Sequence, residues 1–153
     1  MPVLELKVPP LAVVLAAAAL MWLVAWAVPA FKFVFPARNL VAMSFALAGV
    51  VTSALGVVSF RRARTTVNPM KPESATSLVA SGIYRLTRNP MYLGFLLVLL
   101  GWAFFLSSVP AFFVLPVFIL YMNRFQIESE ERALDALFGQ AFTAYKARTR
   151  RWL

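Results

Sequence analysis

The chain contains neither cysteine nor histidine. Without cysteine it has no disulfide, thiol nucleophile or thiolate metal ligand, and without histidine it lacks the commonest general base at neutral pH. Acidic residues are also scarce, since only six of the 153 residues are Asp or Glu. Four of these carboxylates lie close together, at Glu128, Glu130, Glu131 and Asp135. We therefore expect a polar site to include this acidic segment, and we expect it to hold no metal.

Charged residues are few, and long apolar runs take their place. The chain is 61% hydrophobic and 14% charged, with a mean hydropathy of +0.77, whereas about a quarter of the residues in soluble domains are charged. This composition predicts an integral membrane protein with a single membrane domain over residues 1–153. The net charge of +9 then indicates membrane topology and contact with anionic lipids rather than binding of nucleic acid.

Four apolar runs predict an all-α, polytopic protein with about four transmembrane helices. The runs cover residues 11–28, 40–60, 91–109 and 111–122. The alternative for the first run is a cleaved signal peptide, which needs a shorter apolar region and a cleavage site of small residues. In the second run Gly49, Ser53 and Gly56 share one helical face, which allows a neighbouring helix to approach closely.

The third and fourth runs predict a helical hairpin with its turn at Pro110. The fourth run is too short to cross a membrane unless its helix continues through Asn123–Ile127. Because a hairpin ends on the side where it began, residues 88–92 and 124–131 are expected at the same membrane face. Residues distant in sequence would then form one site.

The long polar connection at residues 61–89 is either a cofactor loop or a solvated linker. Prolines at Pro69 and Pro72 disfavour helix within it. Residues 61–90 and 123–153 carry most of the Lys and Arg residues. The excess of positive charge on cytoplasmic segments places this loop, both termini and the active site on the cytoplasmic side, in the plasma (inner) membrane.

The segment at residues 88–94 reads RNPMYLG and has two interpretations. Asn89 as an N-cap and Pro90 at the first helical position are typical of an ordinary helix start. The same helix start offers free N–H groups and positive potential to an anionic ligand, and Tyr92 could stack on or hydrogen-bond that ligand.

The helix predicted from Ile127 ends at Gly139, a typical C-terminal residue. Glu130 and Glu131 flank its apolar stripe, and carboxylates at an apolar edge near a membrane need a partner. We therefore expect both to be functional, whereas Glu128 is satisfied by a pair with Arg124 one turn away.

Residues 140–153 predict a short interfacial helix with a basic end that contains Trp152. This end is either a membrane-surface anchor or a binding site for a phosphate or carboxylate.

Several blocks together resemble the isoprenylcysteine carboxyl methyltransferase family of membrane enzymes. The blocks are residues 78–84 (LVASGIY), residues 88–94, Glu130-Glu131 with Leu134, Phe138-Gly139, and Tyr145-Lys146. The resemblance covers about residues 65 to 150 and keeps the spacing between blocks, which makes it more specific than any one block. It implies transfer of a methyl group from S-adenosylmethionine to a lipophilic, membrane-embedded acceptor, for example an isoprenylcysteine-like carboxylate.

The resemblance also implies the residues of the site. Those that would contact the cofactor are Thr76, Ser77, Leu78, Val79, Tyr84, Arg88, Asn89, Pro90, Met91, Tyr92 and Glu130. Glu130 would receive the amino group of the cofactor, while Arg88 and the helix start would suit its carboxylate.

Two residues depart from the family pattern. Asn89 stands where the family usually has His, so a titrating group is absent there. Gln126 stands where members that methylate a prenylcysteine carboxylate carry Arg, and Arg124 is the nearest cation. We assign Arg124, Gln126 and Glu131 to the acceptor end of the site. If the acceptor is an ammonium, Glu131 or Tyr92 would remove its proton.

Two alternatives to the methyltransferase remain open at this stage. A membrane reductase of the sterol-reductase type would use NADPH, although no Gly-rich dinucleotide fingerprint is present. A non-enzymatic membrane scaffold would leave the Glu130-Glu131 pair unexplained. The expected partners are the lipophilic acceptor and anionic lipids at the cytosolic face, and no oligomeric state is assigned.

Overall fold

The computed structural model describes residues 8–65 and 70–153, and 76% of these residues are helical, with no strand among them. The all-α prediction is therefore confirmed. The helices are α1 (Pro10–Ala27), α2 (Arg38–Arg62), α3 (Pro90–Leu106), α4 (Val109–Phe112), α5 (Val114–Met122), α6 (Glu128–Phe138) and α7 (Gln140–Arg148).

Three helical stretches are long and apolar enough to cross a membrane: α1, α2 and the continuous stretch Val109–Phe138. The expected continuation of the fourth run is confirmed, because a π-helical turn at Asn123–Ile127 joins α5 to α6. The remaining expected span is the apolar helix α3, whose 17 residues extend about 25 Å at 1.5 Å per residue.

Small residues hold α2 and α3 together, as the sequence predicts. A Cβ atom at Gly49 would collide with the backbone oxygen of Gly94, and one at Gly101 would lie 2.6 Å from the backbone oxygen of Ala42. Ser53 Oγ also donates a hydrogen bond to the Met91 carbonyl, at 3.2 Å. This close packing fixes the first turn of α3 against α2.

The turn of the hairpin lies at Ser107 and Ser108, before the predicted position. Ser107 adopts a left-handed conformation with φ of 49° and ends α3, while Pro110 lies in the first turn of α4. The prediction of a turn at Pro110 is therefore wrong. Its physical reason is that proline suits the first turn of a helix, where no N–H donor is needed, as well as it suits a loop.

Helix α1 packs against the hairpin. Its Met21 is fully buried, and Trp102 of α3 donates a hydrogen bond from Nε1 to the Ala18 carbonyl, at 3.1 Å.

Gly139, with φ of 47°, ends α6 as predicted and allows α7 to turn back. In the predicted polar loop, residues 66–69, which include Pro69, lie outside the described residues; Pro72 begins a short 3-10 turn, Pro72–Ser74.

Candidate functional site

A cleft lies where the loop before α3, the first turns of α3 and α6, and helix α7 meet. It is lined by Phe60, Ala75, Ser77, Leu78, Val79, Tyr84, Arg88, Asn89, Met91, Tyr92, Glu130, Glu131, Leu134, Phe142 and Tyr145. Most of the residues predicted to contact a cofactor are thus brought together.

Two of the predicted contacts do not line the cleft. The Thr76 backbone N–H donates to Thr65 Oγ1 at 2.9 Å, so Thr76 ties the loop to the end of α2. Pro90 is fully buried at the start of α3. Both residues support neighbours that reach the cleft.

The apolar wall of the cleft is formed by aromatic residues of α7 and the loop. Phe142 and Tyr145 are buried against Val79 and Tyr84, and Tyr145 donates its hydroxyl hydrogen to the Tyr84 carbonyl at 2.7 Å. Burial raises the pKa of both the Tyr84 and Tyr145 hydroxyls above the usual range, which keeps them protonated donors. Helix α7, predicted as a short interfacial helix, therefore contributes its aromatic face to the wall of the pocket.

Tyr92 and Glu130 connect the two arms of the hairpin inside the cleft. The Tyr92 hydroxyl donates a hydrogen bond to Glu130 Oε1, and Tyr92 is itself only 3% exposed. The bond joins the first turn of α3 to the first turn of α6. The hairpin thus brings residues 88–92 and the acidic segment to one place, as expected.

Glu131 is held by two arginines. Arg151 donates from Nη2 to Glu131 Oε2 at 2.6 Å and from Nε to Oε1 at 3.2 Å, while Arg88 Nη2 lies 3.3 Å from Oε1. Both carboxylate oxygens therefore face guanidinium donors. Glu131 therefore lies in the wall of the cleft as the ion-pair partner of both arginines.

Two nitrogen atoms of the Arg88 guanidinium have no hydrogen-bond acceptor among the described residues. Its Nε and Nη1 atoms are buried, and no described residue accepts a hydrogen bond from either. Buried N–H groups without an acceptor are costly, and the cost is higher for a charged group. A ligand carboxylate in the cleft would supply the missing acceptors.

Asn89 precedes α3, but its side chain does not cap the helix. Its Nδ2 atom instead donates to the Arg151 carbonyl at 2.9 Å. Asn89 therefore stands at the N-cap position, as predicted with Pro90 at the first helical position, but its side chain is engaged by Arg151 and makes no cap hydrogen bond. Among the described residues no side chain caps the start of α3 by a hydrogen bond, which leaves its N–H groups available to an anion.

Arg124 and Gln126 do not line the cleft, in contrast to their predicted place beside Glu131. Arg124 pairs with Glu128 at 3.2 Å, as predicted for that pair. Gln126 is fully buried, and its Nε2 atom donates to the Val8 carbonyl at 2.6 Å. Both residues lie in the π-helical turn Asn123–Ile127. The resemblance assigns Gln126 by its position four residues before Glu130, whereas in the structure its side chain contacts Val8 and not the cleft.

The C-terminal residues, for which the sequence leaves an anchor and an anion-binding role open, contact the loop before α3. The Arg150 carbonyl accepts a hydrogen bond from the Arg88 backbone N–H at 3.0 Å, and the Arg151 carbonyl accepts one from Thr87 Oγ1 at 3.2 Å. Trp152 Nε1 donates to Asn123 Oδ1 at 3.0 Å. The sequence signal was the dense group of arginines, which an anchor would also explain.

Comparison with known proteins identifies a family. A family model described as phospholipid methyltransferase matches residues 37–141, which is more than half of the chain and includes α2, α3 and α6. An uncharacterized protein of Haemophilus influenzae is 44% identical over 63 residues, covering 41% of this chain and 100% of that protein. No solved structure matches the chain.

Proposed function

The chain belongs to the phospholipid methyltransferase family, which is one of the isoprenylcysteine carboxyl methyltransferase-like groups of membrane methyltransferases, and we propose that it uses S-adenosylmethionine to methylate a lipophilic acceptor. The family membership agrees with the resemblance found in the sequence. It favours the methyltransferase over the reductase and the scaffold. The methyl donor, the acceptor class and the cytoplasmic orientation of the site are parts of the proposal.

The observation that carries the proposed donor is the pair of free donors on Arg88. Nε and Nη1 of this buried guanidinium have no acceptor among the described residues, and Arg88 lines the cleft beside the uncapped start of α3. Glu130 lines the same cleft. One cation and one carboxylate in one cleft are complementary to the carboxylate and ammonium of an amino-acid group.

The remaining walls suit the nucleoside part of this donor. Leu78, Val79 and Phe142 give an apolar surface, against which an adenine ring would bury its faces. Phe142 is 2% exposed, so this wall is already packed before a ligand binds. The residues present therefore fit S-adenosylmethionine at both its polar and its apolar ends.

Methyl transfer from a sulfonium requires little chemical assistance from protein side chains. The donor supplies an electrophilic methyl group: the acceptor lone pair forms a bond to its carbon, and the carbon–sulfur bond pair leaves with a neutral thioether sulfur. The protein needs no acid for this leaving group, which agrees with the absence of histidine and cysteine. Its contribution is to orient the reactants and exclude water.

The acceptor that we propose is a lipid-like molecule that reaches the cleft from the bilayer. The cleft lies at the ends of apolar helices long enough to cross a membrane. Arg88 is the one cation among the lining residues, and the proposal assigns it to the donor. Gln126 is engaged by Val8. A neutral or amine-bearing acceptor therefore fits better than the isoprenylcysteine-like carboxylate.

A methylation assay in membranes would test the acceptor class. The purified protein, reconstituted with radiolabelled S-adenosylmethionine, is offered a phospholipid with a primary amine, an isoprenylcysteine and a lipid with neither group. We expect label in an organic extract with the amine-bearing lipid. Label only with the isoprenylcysteine would reject this choice of acceptor, and no label with any lipid would argue against the methyltransferase.

A further inference from the structure

Arg151 joins the two polar walls of the cleft, and it lies beyond residues 37–141, the part that matches the family. Its guanidinium holds both oxygens of Glu131 on α6. Its carbonyl accepts hydrogen bonds from Thr87 Oγ1 and Asn89 Nδ2, in the loop before α3. One residue thus sets the position of Glu131 and of the segment that carries Arg88.

The backbone around Arg151 is fixed on both sides. The preceding carbonyl, of Arg150, accepts the Arg88 N–H at 3.0 Å, and Trp152 is bonded to Asn123 at 3.0 Å. Thr149 is only 5% exposed. The C-terminal segment is therefore held in place by contacts of its own, independent of the ion pair.

The two arginines of this cluster are not equally engaged by Glu131. Arg88 and Arg151 are two cations that share one carboxylate, Glu131. The shorter and doubly bonded contact belongs to Arg151, which leaves Arg88 with a single contact at 3.3 Å. Arg88 therefore keeps donors for a ligand, since its Nε and Nη1 have no acceptor among the described residues.

We infer that Arg151 is a positioning residue: by occupying Glu131 it frees Arg88 to bind the carboxylate of S-adenosylmethionine. The inference rests on the proposed function. Without Arg151, the planar guanidinium of Arg88 would donate hydrogen bonds to both oxygens of Glu131. This two-point contact is the usual geometry of an arginine and a carboxylate. The cleft would then lose the free donors of Arg88.

Two ligands separate this role from a general effect on the pocket. S-adenosylhomocysteine carries the amino-acid carboxylate, whereas methylthioadenosine has the same nucleoside and thioether without it. Calorimetric titration of the detergent-solubilised full chain measures both affinities. We expect Arg151→Gln to weaken S-adenosylhomocysteine by about tenfold, the scale of one charge-assisted hydrogen bond, and to leave methylthioadenosine unchanged.

Three further variants sharpen the test. Arg148→Gln changes an exposed arginine of α7 that does not line the cleft and is expected to leave both affinities unchanged. Arg151→Lys keeps the positive charge but not the bidentate contact with Glu131. The loss of S-adenosylhomocysteine affinity is therefore expected to be smaller than in Arg151→Gln. Replacing Glu131 with Gln in the Arg151→Gln background removes the anion that captures Arg88, and should restore part of the S-adenosylhomocysteine affinity.

The possible results are distinct. Equal losses for both ligands in Arg151→Gln and Arg151→Lys would mean that Arg151 only maintains the shape of the pocket, which overturns the inference. Unchanged affinities in these variants would overturn it as well, while the proposed function would stand. A wild-type chain that binds neither ligand would overturn the proposed function and, with it, this inference.

Discussion

Tyr92 on α3 donates its hydroxyl hydrogen to Glu130 on α6, so one hydrogen bond closes the hairpin at the cleft. Tyr92 is 38 residues from Glu130 in sequence, and the hairpin brings the two helix starts together. The bond orients a carboxylate that the proposal assigns to the ammonium group of the methyl donor. It therefore links the fold of the membrane helices to ligand binding.

Removing the Tyr92 hydroxyl is expected to weaken ligand binding without unfolding the protein. In Tyr92→Phe the ring still fills its buried place, but Glu130 loses its partner and its fixed orientation. We expect the affinity for S-adenosylhomocysteine to fall by roughly three- to tenfold, measured by calorimetric titration. Tyr121→Phe, outside the cleft, is the matched control, and an equal loss in both variants would contradict a specific role for Tyr92.

The close approach of α2 and α3 predicts a large effect of a small substitution. A Cβ atom at Gly49 meets backbone atoms of α3, which cannot move aside as a side chain could. We expect Gly49→Ala to lower the free energy of unfolding by about 1 to 3 kcal/mol, the usual cost of overpacking. Denaturation followed by circular dichroism in detergent would measure it.

The control for Gly49→Ala is Ala48→Leu. Ala48 is the preceding residue of α2 and is exposed on the outer surface of the helix. The leucine adds more atoms than the alanine at position 49, but it adds them away from α3. Similar stability losses in the two variants would show that helix contact at Gly49 is not the cause.

The cytoplasmic orientation can be tested because the chain has no native cysteine. Arg64→Cys, at the end of α2, and Arg148→Cys, at the end of α7, each give one thiol. We expect a membrane-impermeant maleimide to label both only after inside-out vesicles are prepared, since the basic segments should be cytoplasmic. Labelling of either thiol in intact cells would reverse the proposed orientation.

The topology of the site was predictable because it follows from local patterns. The hairpin was expected from two apolar runs, and its geometry placed the start of α3 beside Glu130. The small-residue face of α2 was also visible, because residues at helical spacing share a surface. These features depend on neighbours within a few residues or on the requirement to cross a membrane.

The finer contacts were not predictable because they depend on long-range partners. Asn89 bonds to a carbonyl 62 residues away, where no periodic pattern relates the two positions. Gln126 was assigned from its place in the family pattern, four residues before Glu130, but it lies in the π-helical turn at Asn123–Ile127 and donates to the Val8 carbonyl. Arg151 was one of several basic residues, and only the folded chain distinguishes the arginine that reaches Glu131.

The central claim is that the cleft binds S-adenosylmethionine through its polar wall, and one titration tests it most directly. Detergent-solubilised wild type, Glu130→Ala and Glu128→Ala are each titrated with S-adenosylhomocysteine and with NADPH. Glu128 is the matched control because it lies in the same turn of α6 but pairs with Arg124 outside the cleft. We predict saturable binding of S-adenosylhomocysteine that is lost in Glu130→Ala and kept in Glu128→Ala. Binding of NADPH alone, or unchanged binding in Glu130→Ala, would contradict the account.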